Sequence, residues 1–229
     1  MITSAGPIAL HPKTVGGWYF SLLWLLLTVY SMTAASADAR HILVLGDSLS
    51  AGYGLGEADD NWVELLQKRL DSQHWTVTNA SISGDTTAGG KSRLPRLLAE
   101  HHPDLVLLEL GANDGLRGLS LEAMASNIDD MIRLSQQSGA QVMLLGMQLP
   151  PNYGDRYNAA FQAVYADTAT RNHVPWMDFW MRGMGGWDQQ YLQADGLHPN
   201  AKAQPLLLEG VWPALLPVLE SLCGASHQC

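Results

Sequence analysis

His41-Ile42-Leu43-Val44-Leu45-Gly46 runs without a break into Asp47-Ser48-Leu49-Ser50, and this junction decides the architecture. A short, uninterrupted apolar run closed by glycine reads as a strand buried on both faces. Comparable runs recur at Leu105–Leu110 and Gln141–Met147, with a weaker, alternating one at Trp75–Asn79 and a short one at Val174–Met177. Between them the apolar residues change to helical spacing. Trp62, Leu65, Leu66 and Leu70 form one such face, and Tyr157, Ala160, Phe161, Val164 and Thr168 another. A third comprises Leu121, Met124, Ile128, Met131 and Ser135, with Ser120 placed to cap it and Gly139 to stop it. Buried strands alternating with amphipathic helices predict one three-layer α/β/α domain around a parallel sheet. No internal repeat, low-complexity tract or linker divides it.

Sheets of this kind bind ligands at the carboxyl ends of their strands. The informative segments are therefore 46–56, 79–90, 111–118 and 147–154, together with the loop around Asp195–Pro199 ahead of the last helix. A serine where a strand turns into a loop or helix can expose its hydroxyl at the sheet edge, and Ser48 stands there. Gly-Asp-Ser alone is common turn material. A serine nucleophile needs a general base, and an imidazole base needs a carboxylate to hold its tautomer. Asp195-Gly196-Leu197-His198-Pro199 offers both within one turn, although a capping Asp beside an exposed His would read the same way. Ser81-Ile82-Ser83-Gly84-Asp85 and Gly111-Ala112-Asn113-Asp114 follow the second and third strands. A glycine N–H and an asparagine amide there are suitable neutral donors to a developing oxyanion, with the Ser48 N–H as the third.

These blocks, GDSLS at 46–50, the glycine of SISGD at 84, GAND at 111–114 and DGLHP at 195–199, resemble the four blocks of the SGNH (GDSL) hydrolases. LGDSLSAGYG, NASISGDT, ELGANDGLRG, LPPNYGDRYN and DGLHPN are similar to the bacterial periplasmic thioesterase/arylesterase/lysophospholipase group of that family. The resemblance covers essentially all of the chain after residue 40. It implies a flavodoxin-like fold, with Ser48 as nucleophile, Asp195 and His198 completing a triad, and Ser48, Gly84 and Asn113 as oxyanion donors. Hydrolysis of aryl esters, acyl-CoA thioesters or lysophospholipids is the expected activity, with no metal or organic cofactor required. A carbohydrate O-deacetylase on the same fold is the alternative. Lipid esters need an extended apolar groove, and Leu149, Pro150 and Tyr153 after the fourth strand are placed to supply an acyl pocket. The complete residue set argues against a catalytically silent binding module.

The net charge of −9, from 13 basic and 22 acidic residues, disfavours nucleic acid and anionic membranes as partners. Residues 1–37 read as an export signal: His11 and Lys13 precede an apolar core from Trp18 to about Met32, then A-x-A sites give cleavage near 37–39. That core is short for a spanning helix, which needs about 20 apolar residues. A periplasmic or secreted monomer without a membrane anchor is expected, its hydrolase domain spanning 40–222. A tail over 223–229 carries both cysteines, Cys223 and Cys229, which are free to pair in an oxidising compartment. The stretch Gly84–Ser92 has one residue too many for a phosphate-binding loop, and Gly52–Gly56 lacks dinucleotide-binding spacing. His101-His102 reads as turn rather than metal ligand; the Trp and Met residues of 176–187 could line an acyl groove, with core packing the default reading.

Overall fold

The computed structural model describes Met1, Ile2, Gly6 and residues 40–56 and 61–223. The chain divides into two units after Asp38, and the second, Ala39–Cys229, carries the architecture below. Apart from Met1, Ile2 and Gly6, the expected signal and its cleavage positions lie outside the described residues, as does Cys229.

Strands β1 (Arg40–Gly46), β2 (Trp75–Asn79), β3 (Leu105–Glu109), β4 (Gln141–Leu145) and β5 (Trp176–Met177) form one sheet. All pairings are parallel, in the order β2-β1-β3-β4-β5. Ile42–Leu45 and Leu105–Leu108 are buried throughout, as central strands covered on both faces must be. The alternating β2 and the two-residue β5 are the edges. β4 ends two residues short of the run expected from its sequence.

Helices α1 (Ser48–Ala51), α2 (Trp62–Leu70), α3 (Thr87–His101), α4 (Ala112–Leu116), α5 (Leu121–Gln137), α6 (Asp155–Asn172) and α7 (Gln204–Cys223) connect and cover the strands. α2 and α7 pack together, while α3, α5 and α6 pack in a row. Right-handed crossovers put these two groups on opposite faces of the sheet. Ser120 caps α5 by accepting from the Ala123 amide, and Gly139 just beyond its end has φ +95°. Periodicity did not reveal α3, because it holds Gly89, Gly90 and Pro95. Gly90 is there for space: a Cβ would come within 2.2 Å of Leu110 Cδ1. α7 extends through the buried, disulfide-bonded Cys223, one residue past the expected domain end.

From β1 the chain moves outward to β2, then crosses back to β3 on the other side of β1. That reversal opens a crevice between the carboxyl ends of β1 and β3. The segments beginning at Gly46 and Gly111 flank it.

Candidate active site

Ser48 opens α1 immediately after β1. Asp47 caps this turn by accepting from the Leu49 amide at 3.0 Å, and Gly52 closes it in the left-handed region. Gly46 lets the chain pass closely over its neighbours, since a Cβ there would sit 2.7 Å from Glu109 Oε2 and 2.8 Å from Ser50 Cβ. The Ser48 hydroxyl lies 2.9 Å from Nε2 of His198, a residue 150 positions away. His198 Nδ1 is in turn 2.7 Å from Asp195 Oδ2. A carboxylate only accepts, so Nδ1 carries the proton and Nε2 is left to accept from the serine. Asp195 Oδ1 accepts from the Leu197 and His198 amides at 2.9 and 3.0 Å, which folds 195–198 into the tight turn that aligns the pair. Partial burial pushes the Asp195 carboxyl up, but these amide bonds and the imidazole outweigh it and hold it at about 2. The turn is fastened by Gln193, which donates to Tyr53 O and Pro199 O, and by Asn200, which donates to Gln190 O and Leu192 O.

Gly84 and Asn113 arrive from the ends of β2 and β3. Gly84 has φ +78°, a conformation natural to glycine. The Asn113 amide donates to Asp47 Oδ2 at 3.0 Å and its oxygen accepts from Arg117. Ser48, Gly84, Asn113 and His198 all line one cavity of about 330 Å³, whose remaining wall is largely apolar. Leu149 and Pro150 belong to that wall. Tyr153 does not: it donates to Leu116 O at 3.0 Å and borders a separate, open groove with Asp155, Arg156 and Tyr157. Of the three residues expected to form an acyl pocket, two line the cavity and Tyr153 does not. Of the Trp and Met residues of 176–187, Trp187 joins Met147 in the cavity wall, while Trp180, Met181 and Met184 are buried in the core.

A family model described as GDSL-like Lipase/Acylhydrolase matches residues 44–205. The chain belongs to that family. Esterase TesA of Pseudomonas aeruginosa is 51% identical over 80% of this chain and 91% of its own length. Thioesterase 1/protease 1/lysophospholipase L1 of Escherichia coli K12 is 41% identical over 88% of this chain and 94% of its own. The crystal structure of psychrotrophic esterase EstA from Pseudoalteromonas sp., inhibited by monoethylphosphonate, superposes with a TM-score of 0.73. It is 39% identical and covers 79% of this chain and 99% of that one. The resemblance and the three-layer α/β expectation therefore hold, and the chain is an SGNH serine hydrolase.

Within this GDSL-family site, three features were not legible beforehand. The first is a pair of buried acids under the Ser48 turn. Register pairs Gly46 with Glu109, and Glu109 Oε2 accepts from the Ser50 hydroxyl at 2.8 Å and the Asp47 amide at 3.3 Å. Burial, then the neighbouring Asp47 charge, pushes the Glu109 carboxyl well above its ordinary range. Burial first, with Asp85 and Asp114 adding, raises Asp47 to about 7 against the pull of its Leu49 and Asn113 hydrogen bonds. An acid closing an apolar strand was the one sequence signal for Glu109. The second feature is Tyr53, from a glycine-rich loop, whose ring centroid lies 4.6 Å from that of His198. The third is Arg117. His101-His102 ends α3, and the His101 ring packs edge-on against His41.

Proposed function

We propose that this chain hydrolyses acyl esters and thioesters through an acyl-enzyme on Ser48. The observation that supports this most directly is the hydrogen-bonded run Ser48–His198–Asp195 at 2.9 and 2.7 Å, with its serine in the wall of a mainly apolar cavity. His198 Nε2 removes the Ser48 proton as Oγ attacks the carbonyl carbon, and Asp195 stabilises the resulting imidazolium. The Ser48 and Gly84 amides and the Asn113 side chain receive the oxyanion. As the tetrahedral intermediate collapses, the bond to the alcohol or thiol breaks and His198 returns its proton to that leaving group. Water, deprotonated by His198, then releases the acid and restores Ser48.

The apolar wall favours fatty-acyl and aryl esters, acyl-CoA and lysophospholipids over acetylated sugars, and the names of the esterase and thioesterase relatives agree with that choice. Residues 1–37 are proposed as a cleaved export signal delivering a monomeric domain to the periplasm or beyond, without an anchor. The decisive experiment treats parent and Ser48→Ala with a phosphonate ester and assays both on p-nitrophenyl esters, acyl-CoAs, lysophospholipids and acetylated sugars. Labelling is expected at Ser48 in the parent alone, with hydrolysis of the variant near background. Labelling at another serine, or turnover confined to acetylated sugars, overturns the reading.

A further inference from the structure

Arg117 lies at the carboxyl end of α4, exposed and outside the cavity lining. Its Nη2 donates to Gly84 O at 2.9 Å and to Asn113 Oδ1 at 3.3 Å. Those two acceptors lie in segments that follow different strands, Gly84 after β2 and Asn113 in α4 after β3, and they are the two residues proposed as oxyanion donors beside Ser48. We infer that Arg117 is the positioning residue of the oxyanion hole, setting the orientation of the Asn113 amide and tying the Gly84 loop to it. This rests on the hydrolase reading above.

The chemistry of the neighbours decides the orientation. A guanidinium only donates, so the Asn113 face beside it must be the oxygen. On the other side, the Asp47 carboxylate accepts from Asn113 Nδ2 at 3.0 Å. The reversed amide would turn its NH₂ toward the guanidinium, losing that bond at any pH, and, once Asp47 is ionised, its oxygen toward a carboxylate, losing the second as well. In the observed orientation one Nδ2 hydrogen serves Asp47. The second is left for the cavity that Asn113 lines. An unanchored amide would divide its time between two orientations, only one of which offers a hydrogen to an oxyanion. Arg117 reaches these groups from outside the cavity lining, which separates its role from that of a catalytic residue.

The test is kcat and KM on one p-nitrophenyl ester for Arg117→Met, Asn113→Ala, the double variant and Ser48→Ala, per Ser48 titrated with a phosphonate ester where Ser48 is present. Met keeps the aliphatic stem of an exposed side chain, and a thermal melt checks the fold. Arg117→Met is expected to lower kcat about tenfold, within the range for residues coupled in one network, with KM moving less than about twofold. On the Asn113→Ala background the same substitution should cost distinctly less. An unchanged kcat, or a loss of the same size on both backgrounds, overturns the positioning role while leaving Ser48→Ala inactive. A Ser48→Ala protein that still turns over removes the hydrolase reading and this inference together.

Discussion

The Asn113 side-chain amide donates to the Asp47 carboxylate at 3.0 Å, so the residue just before Ser48 holds in place a donor carried by a different strand. Asp47 does this while fully buried, and burial raises its carboxyl to about 7. Against an unfolded value of 3.8, the folded protein keeps this proton between about pH 4 and 7 where the unfolded chain has released it. Stability from this group is therefore fully present below pH 4 and is lost as pH rises toward 7. Asp47→Asn cannot ionise, so its melting temperature should gain on the parent's across that window and then run parallel above it. Melts of both proteins from pH 4 to 8 check this, and a constant difference throughout would contradict it. Above pH 7, where Asp47 is ionised, the same variant should lower kcat by about tenfold, since a bond to a charged group is replaced by a neutral one.

Asp195 shifts the other way, to about 2. It stays ionised through the acid range in which esterases are assayed, so the acid limb of the rate profile should not report its protonation. Asp195→Asn removes the acceptor that fixes the His198 tautomer. The expected loss in kcat is roughly a hundredfold to ten-thousandfold. A loss below tenfold in a well-folded preparation would show that the imidazole is held by its other contacts.

The parts of this molecule that were legible in its sequence share a physical reason. Ile42–Leu45 and Leu105–Leu108 must be apolar at every position because helices cover both faces of the central strands. β5 shows only as a short apolar run because it is two residues long and half-buried, and α3 shows no periodicity because it carries Gly89, Gly90, which makes room for Leu110, and Pro95. Ser48, Asp195 and His198 could be named because their chemistry is written in short local blocks. Arg117, Tyr53 and Glu109 contact groups supplied by other elements (Gly84, His198 and Ser50, respectively), and nothing beside them in the chain announces those contacts. Tyr153 illustrates the converse. Its aromatic ring suited an acyl pocket, but the turn at Pro151–Tyr153 carries it outside the cavity wall.

Leu149 is 2% exposed and lines the cavity. If acyl chains pack there, Leu149→Ala removes apolar contact of about 1–3 kcal/mol from long chains and little from acetyl. The ratio of kcat/KM for a long acyl ester to that for the acetyl ester should fall roughly tenfold, by the same energies. Equal losses on both would place the acyl chain elsewhere.

The proposed oxyanion role of Asn113 can be separated from its structural one by a single substitution. It hydrogen-bonds Asp47 and Arg117, so a purely structural Asn113 would cost stability on removal and leave each folded molecule fully active. An oxyanion donor behaves differently. The carbonyl oxygen gains charge only as the tetrahedral intermediate forms, so the bond is stronger in the transition state than in the bound ester. Removing one such donor costs roughly a hundred- to a thousandfold in kcat, about 3–4 kcal/mol. KM should move far less, because the ground-state carbonyl draws little on that donor. Asn113→Ala also leaves Asp47 Oδ2 without the Asn113 hydrogen bond that helps pull its carboxyl down, so Asp47 should titrate still higher in the variant. That shift moves the pH dependence of the melt without touching KM, and it separates the structural duty from the catalytic one in a single preparation. Measured kcat above about a tenth of the parent's, in a protein whose melt has shifted as described, would leave Asn113 as a strut and pass the oxyanion to the Ser48 and Gly84 amides alone.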